Sequence, residues 1–209
     1  MTDMCRYKMA DGVCSLNSEE NYTEYCHEGP CSQDTDKGRF LYIAENYIDR
    51  PGIKNLLEWL EDCDFYTAPA STKHHGAKEG GLLAHSLQVY RNLKRLADFY
   101  FERGDIEYIT AESIAVTALF HDLCKVNTYK QDEITLQYHH DEKFKFGGHG
   151  SKSVYIIQLY MMLTPSEAAA INCHMGAFEN NHVGEVYERN PLAWLLHVAD
   201  EEAAYIQKV

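Results

Sequence analysis

His121 and Asp122 stand side by side at the end of an apolar run and are followed by a lysine, in the stretch Leu119-Phe120-His121-Asp122-Leu123-Cys124-Lys125. An imidazole and a carboxylate are both ligands for divalent transition metals. Adjacent side chains on a helix diverge, so this pair can meet one ion only where the helix ends and the backbone turns both inward. Four more residues of ligand type surround it in the chain: His85 upstream, and His149, His174 and Asp200 downstream. Any single histidine among them reads equally well as a core imidazole bonded to a carbonyl. Six ordered residues of ligand type read instead as a metal centre. Four histidines and two aspartates suit two divalent ions of the iron, manganese, cobalt, nickel or zinc type, because imidazole disfavours magnesium.

The surrounding periodicity says which elements hold these residues. Leu82, His85, Val89, Leu93, Leu96 and Tyr100 recur at three and four residues and form one helical stripe, with the histidine in its core-facing row. That helix should run to about Arg103 and stop at Gly104. The next begins with Thr110 as N-cap, and its row Ile114, Ala118 and His121 faces the same core. Gly147-Gly148-His149-Gly150 precedes another helical run, whose N-terminal amides suit a phosphate and whose Lys152 adds charge there. Thr164, Pro165 and Glu167 form a helix start with a capping box, on a helix that places Ala170, Ile171 and His174 on one face. After an irregular stretch from Met175 to Asn190, Pro191 opens the last helix. There Asp200 shares a row with Leu196 and Ala203, a costly place for a carboxylate without a partner.

Ahead of this core, Phe40, Ile43, Ala44, Tyr47 and Ile48 make one amphipathic stripe and Ile53, Leu56, Leu57 and Leu60 another, two helices expected to cover the metal-binding region. Ala68 to Gly76 reads as a loop, and Lys73, His74 and His75 in it are candidates for substrate contact. Between Val126 and Phe146 the period becomes alternating. Ile134 to Tyr138 suggests a strand paired with Asn127 to Lys130, with Phe144 to Phe146, or with both. Tyr129, Tyr138, Phe144 and Phe146 either stack on a base at a pocket mouth or pack the sheet against the helices.

The order His, His-Asp, His, His, Asp resembles the HD-domain superfamily of metal-dependent phosphohydrolases, in particular its members holding two metal ions. The resemblance runs from about Thr72 to Ile206. It is carried by His74-His75 ahead of Gly80-Gly81-Leu82-Leu83-Ala84-His85-Ser86, by His121-Asp122, by Gly147-Gly148-His149-Gly150, by His174-Met175-Gly176, and by Leu195-Leu196-His197-Val198-Ala199-Asp200. It implies a mainly α fold: an HD-domain helical bundle at residues 38–209, with a small β-hairpin or sheet insertion. It also implies that His85, His121, Asp122 and Asp200 hold one ion and His149 and His174 the other, with Asp122 bridging. The implied chemistry is attack of an activated water on phosphorus in a nucleotide or similar small phosphate ester. Asp122 and Lys125 are the expected catalytic residues, Lys125 binding a phosphate oxygen or shielding the leaving group. The same ligands and lysine also occur in diiron oxygenases of the superfamily, and the double histidine before Gly-Gly-Leu-Leu is similar to HD-domain exoribonucleases acting from the 3′ end. Hydrolysis is preferred because hydrolases are far more numerous there. A regulatory module without turnover is disfavoured because no ligand position is missing.

Composition narrows the partners. With 32 acidic and 19 basic residues the formal charge is −13, a field that repels polyanions and argues against stable binding of long nucleic acid. A single nucleotide held by local metal and lysine charge remains compatible. Hydrophobic residues at 45% and charged residues at 24% describe an ordinary soluble domain. No apolar run approaches a membrane span and Met1 to Ala10 lacks a signal core, so a cytoplasmic location without membrane partners is expected. The oligomeric state is open.

Residues 1–37 differ in kind. They hold Cys5, Cys14, Cys26 and Cys31, four of the chain's seven cysteines. A segment this polar cannot build its own core, and a structural zinc site on those thiols, with His27 able to replace one, would supply the missing folding free energy. The spacing lacks a Cys-x-x-Cys knuckle, which leaves free thiols on a loosely docked arm, or an iron-sulfur cluster, as alternatives. The remaining cysteines read as core residues or metal ligands.

Overall fold

Phe40 and Ala44 lie on the buried face of the first helix, α1 (Asp36–Tyr47), which starts where the Thr35 hydroxyl accepts from the Gly38 amide at 3.0 Å. The computed structural model describes residues 35–73, 76–141, 146–178 and 182–209. Cys5, Cys14, Cys26 and Cys31, the expected zinc ligands, and His74 and His75, expected at the substrate, lie outside the described residues. The second predicted stripe forms α2 (Ile53–Glu61), with Ile53, Leu56, Leu57 and Leu60 buried. Both helices sit where the sequence periodicity puts them.

The long stripe around His85 becomes α3 (Gly81–Glu102), and Thr110 caps α4 (Ala111–Phe120) by accepting from the Ser113 amide. Next come a 3-10 turn at Leu123–Lys125, a two-stranded hairpin, then α5 (His149–Gln158), α6 (Pro165–Cys173), α7 (Val183–Arg189) and α8 (Pro191–Glu201). A π-helical turn, Glu202–Gln207, continues α8. The helix α3 lies between α4 and α8, α6 lies between α5 and α8, and α1 crosses α3 and α4. Phe40 sits at the centre of one end of this bundle, its ring 5.0 Å from Phe65 and 5.8 Å from Phe120. No helix among the described residues is long and apolar enough to cross a membrane.

Two expectations need correction. The strands are β1 (Tyr129–Gln131) and β2 (Tyr138–His140), antiparallel with Lys130 opposite His139. Ile134 to Gln137, read as strand, is the turn between them. One oxygen of Asp132 accepts from the Ile134 amide at 3.0 Å and from the Thr135 amide and hydroxyl at 2.7 and 2.9 Å. That local capture competes successfully with strand pairing, and it leaves Ile134 and Leu136 exposed. Within the stretch from Met175 to Asn190, Val183, Val186 and Tyr187 share one face of α7, which packs on α8. The pattern was present, but too short to register.

A closed ionic network pins the bundle. Arg50, in the turn between α1 and α2, donates from its two terminal nitrogens to Glu167 at 2.8 and 3.0 Å and from Nε to Glu112 at 3.1 Å. The fully buried Glu167 also accepts from Ser113 Oγ at 2.8 Å and, through the predicted capping box, from the Thr164 amide at 2.9 Å. Burial pushes the Glu167 carboxyl up, but the hydrogen bonds from Arg50, Thr164 and Ser113 outweigh it and hold it below its ordinary range. The network ties the starts of α4 and α6 to the turn ahead of α2.

Candidate functional site

The ligand-type residues sit largely at helix ends, where the backbone releases their side chains. His121 is the last residue with helical geometry on α4, and Asp122 follows with φ −107° and ψ 21°, so that both turn inward as the sequence requires. His174 occupies the equivalent place after α6, and His149 opens α5. His85 enters from the first turns of α3 and Asp200 from the last turn of α8. Gly150 accounts for one approach: a Cβ there would lie 2.5 Å from the carbonyl oxygens of Ile171 and Asn172. Only glycine lets the start of α5 rest on the end of α6, which sets His149 beside the His174 region.

The histidines are oriented from behind. Nδ1 of His121 meets the Ala118 carbonyl at 2.9 Å, Nδ1 of His174 meets the Ile171 carbonyl at 2.7 Å, and Nδ1 of His85 meets the Val209 carbonyl at 3.2 Å. A carbonyl can only accept, so each Nδ1 carries a proton, and in the neutral ring Nε2 turns its lone pair inward. This is the arrangement that fixes metal-binding imidazoles. In front, Nε2 of His121 lies 3.5 Å from Asp122 and 3.8 Å from Asp200, and Nε2 of His174 lies 3.6 Å from Asp122. Neither Nε2 has a hydrogen-bond partner, although both rings are fully buried. Nε2 of His85 lies 3.0 Å from Asp200 and 3.8 Å from Asp122.

The two oxygens of Asp122 face different neighbours. Oδ2 is on the side of His85, His121 and Lys125, whose Nζ is 2.5 Å away. Oδ1 is on the side of His174 and of Cys124, whose Sγ is 3.7 Å away. His149 is brought to the second side, its Nδ1 3.4 Å from that sulfur. Burial opposes ionisation of Asp122, but Lys125 foremost, with His121 and His174, holds its carboxyl well below the usual range; His85 does the same for Asp200. Burial works against the charge of Lys125, yet Asp122 raises its pKa. His174 is likewise raised by Asp122 against the effect of burial.

These residues fit a metal. Bonds of 2.0–2.2 Å to nitrogen and oxygen place neighbouring donors of one ion about 3 to 3.6 Å apart, close to the spacing of the inward-facing atoms here. His85, His121 and Asp122, and likewise His121, His174 and Asp200, can each present donors within 4.8 Å of one another.

The HD domain profile matches residues 82–205 of the 209. The chain belongs to the HD domain family. The match supports the HD superfamily of metal-dependent phosphohydrolases, and this chain is a hydrolase of the HD type. It is similar to the dihydroneopterin 2′,3′-cyclic phosphate phosphodiesterase of Methanocaldococcus jannaschii, at 26% identity over 186 residues, covering 82% of this chain and 70% of the relative. No solved structure matches.

The HD centre thus brings together His85, His121, Asp122, His149, His174, Asp200 and Lys125, all anticipated in the sequence. Lys125 is half-buried beside Asp122, its side chain 12% exposed. Lys152 reaches Thr128 Oγ1 at 3.2 Å, beside the hairpin, and Lys73 is exposed in the loop before α3. Tyr129 packs on His140 with ring centroids 5.0 Å apart and Phe146 on Tyr155 at 5.2 Å.

Sequence reasoning gave no role to His197 and left Cys124 among cysteines read as core residues or metal ligands. His197 bonds through Nδ1 to the His174 carbonyl at 2.7 Å and stacks on Tyr187, bracing the turn that carries His174. Its signal was its position three residues before Asp200.

Proposed function

We propose that this HD-domain protein hydrolyses a phosphate ester of a nucleotide or similarly small molecule, using two divalent transition-metal ions held by the clustered histidines and aspartates. The observation that carries this reading is the division of Asp122, with one carboxylate oxygen turned toward His85 and His121 and the other toward His174. Such a carboxylate is suited to bridge. His85, His121, Asp122 and Asp200 would form one half-site, and Asp122, His149 and His174 the other. Bound there, the ions supply an acidified water and positive charge against a phosphoryl group. The chain's own residues do the rest: the carbonyls behind the imidazoles hold their lone pairs inward, and Lys125 sets an ammonium at the edge of the site, where it can neutralise a phosphoryl or leaving oxygen.

The substrate class is supported by the relative's name, which describes a small cyclic phosphodiester. Cyclic 2′,3′-phosphates are therefore the first compounds to test, beside nucleoside mono-, di- and triphosphates. Lys73, His74, His75 and Lys152 are proposed substrate contacts. The acidic balance supports a small substrate over a long strand entering as in a 3′ exonuclease. Residues 1–37 are proposed as a separate zinc module, which predicts that Cys26→Ser lowers zinc content and thermal stability while leaving the buried centre's metal unchanged.

The test is product release by chelator-treated protein reloaded with manganese or cobalt, under anaerobic conditions. Hydrolysis without oxygen, lost in Asp122→Ala, is the expected result. Two irons per chain, oxygen consumption and no hydrolysis of any phosphate would replace the hydrolase with the oxygenase.

A further inference from the structure

Cys124 lies two residues past Asp122 in the buried 3-10 turn, and its thiol faces into the site. Its amide donates to Ser153 Oγ at 3.0 Å, which fixes the turn from behind and leaves the side chain on the Oδ1 side of Asp122. We propose that Cys124 is a thiolate ligand of the second metal half-site, joining Asp122, His149 and His174. The proposal rests on the dinuclear reading above and adds to it a sulfur donor from this chain's own sequence.

Two independent observations meet here. The first is spacing. Cys124 Sγ is 3.4 Å from His149 Nδ1 and 3.7 Å from Asp122 Oδ1. A tetrahedral ion with a sulfur bond of about 2.3 Å and nitrogen or oxygen bonds of about 2.1 Å sets sulfur about 3.6 Å from each of those donors. Asp122, Cys124 and His149 can present three donors within 4.8 Å of one another. The second is His174. Its Nε2 is fully buried, has no hydrogen-bond partner, and lies 3.6 Å from the same Asp122 Oδ1. A thiol hydrogen bond to the carboxylate is weak and leaves that nitrogen unsatisfied. A cation held by Asp122, Cys124 and His149 gives the thiol, the imidazole and the carboxylate a common partner, with the thiol proton leaving to solvent as the ion binds.

A sulfur donor changes what the half-site accepts. Thiolate favours zinc, cobalt and ferrous ions over manganese or magnesium. The two half-sites then differ in kind, one with nitrogen and oxygen donors and the other with sulfur as well. Different metals can fill them from a mixed supply.

The experiment is an anaerobic cobalt titration of the chelator-treated full chain, followed by absorbance, for the wild type, Cys124→Ser and Cys124→Ala. Thiols elsewhere in the chain contribute equally to all three, so the difference spectra isolate Cys124. The expected difference is a near-ultraviolet thiolate-to-cobalt charge-transfer band, present in the wild type and missing from both variants, while the visible cobalt bands persist. Affinity for the second zinc should fall at least about tenfold in Cys124→Ser, the order of loss seen when a metal site's support is removed, with manganese affinity little changed. Identical spectra in all three overturn the thiolate assignment and leave the dinuclear reading standing. Elemental analysis tests that reading separately: metal content of Asp122→Ala no lower than that of the wild type overturns it whatever the spectra show. If the variants do not fold, alkylation mapping of the wild type decides instead. Protection of Cys124 by the second metal equivalent, beyond that of buried Cys173, supports the ligand, and equal protection overturns it.

Discussion

Around Arg50 and Glu167 the buried charges touch, with guanidinium nitrogens at 2.8 and 3.0 Å from the carboxylate and Ser113 and Thr164 completing it. Around Asp122 the inward-facing nitrogens of His121 and His174 stop 3.5 and 3.6 Å short of the same carboxylate. Both clusters are buried in one bundle, and α6 joins them, with Glu167 in its first turn and His174 just past its last. A closed network spends its donors on acceptors within the chain and contributes stability and register. A network with gaps of ionic size keeps its lone pairs for something that arrives later.

The contrast is broken most directly at Asp122. Asp122→Ala should reduce turnover below about one thousandth of wild type, since it removes the carboxylate placed to hold the ions that would activate water and neutralise the phosphoryl group. Its far-UV spectrum should remain that of a helical protein. Arg50→Ala should do the reverse, costing about 3–5 kcal/mol in urea unfolding because Glu167 is left buried and unpaired. Metal content of the folded fraction should be unchanged. Lys125→Ala sharpens the boundary between the two kinds of cluster: a lysine acting on phosphate predicts turnover lower by roughly a hundredfold with both ions retained. Lost metal with intact unfolding midpoints would make Lys125 part of the binding site instead.

The smallest effect concerns pH. Glu167 has a lowered pKa in the fold, so its contribution is fully present above the unfolded value and is lost as pH falls through the folded one. Glu167→Gln should therefore be less stable than wild type by about 2 kcal/mol above roughly pH 5, with the gap closing below about pH 4. Urea midpoints across that range check it. A gap that persists into acid would assign the difference to packing.

Legibility followed the range of the interactions. Helices whose apolar rows repeat over three or more turns, such as Leu82 to Tyr100, could be placed from sequence, and so could the ligands that interrupt those rows. Thr110, Thr164 and Glu167 were readable as caps because capping is local. The partnership of Arg50 with Glu167 was not, because nothing in either neighbourhood marks a contact across 117 positions. Asp132 turned a predicted strand into a turn through one side chain. Cys124 was visible but unassigned, because its meaning depends on α5 arriving across Gly150.

One contact bears on when the protein can be assembled. The ammonium of Lys125 already sits on Asp122, so that buried carboxylate has a cation beside it that belongs to the chain itself. Unlike a zinc finger, which is unfolded until loaded, this bundle has a large apolar core of its own, built around residues such as Phe40, Leu93, Leu119 and Leu196. Such a core predicts that the chain folds before it is loaded, and a cooperative urea transition of the chelator-treated protein would check it.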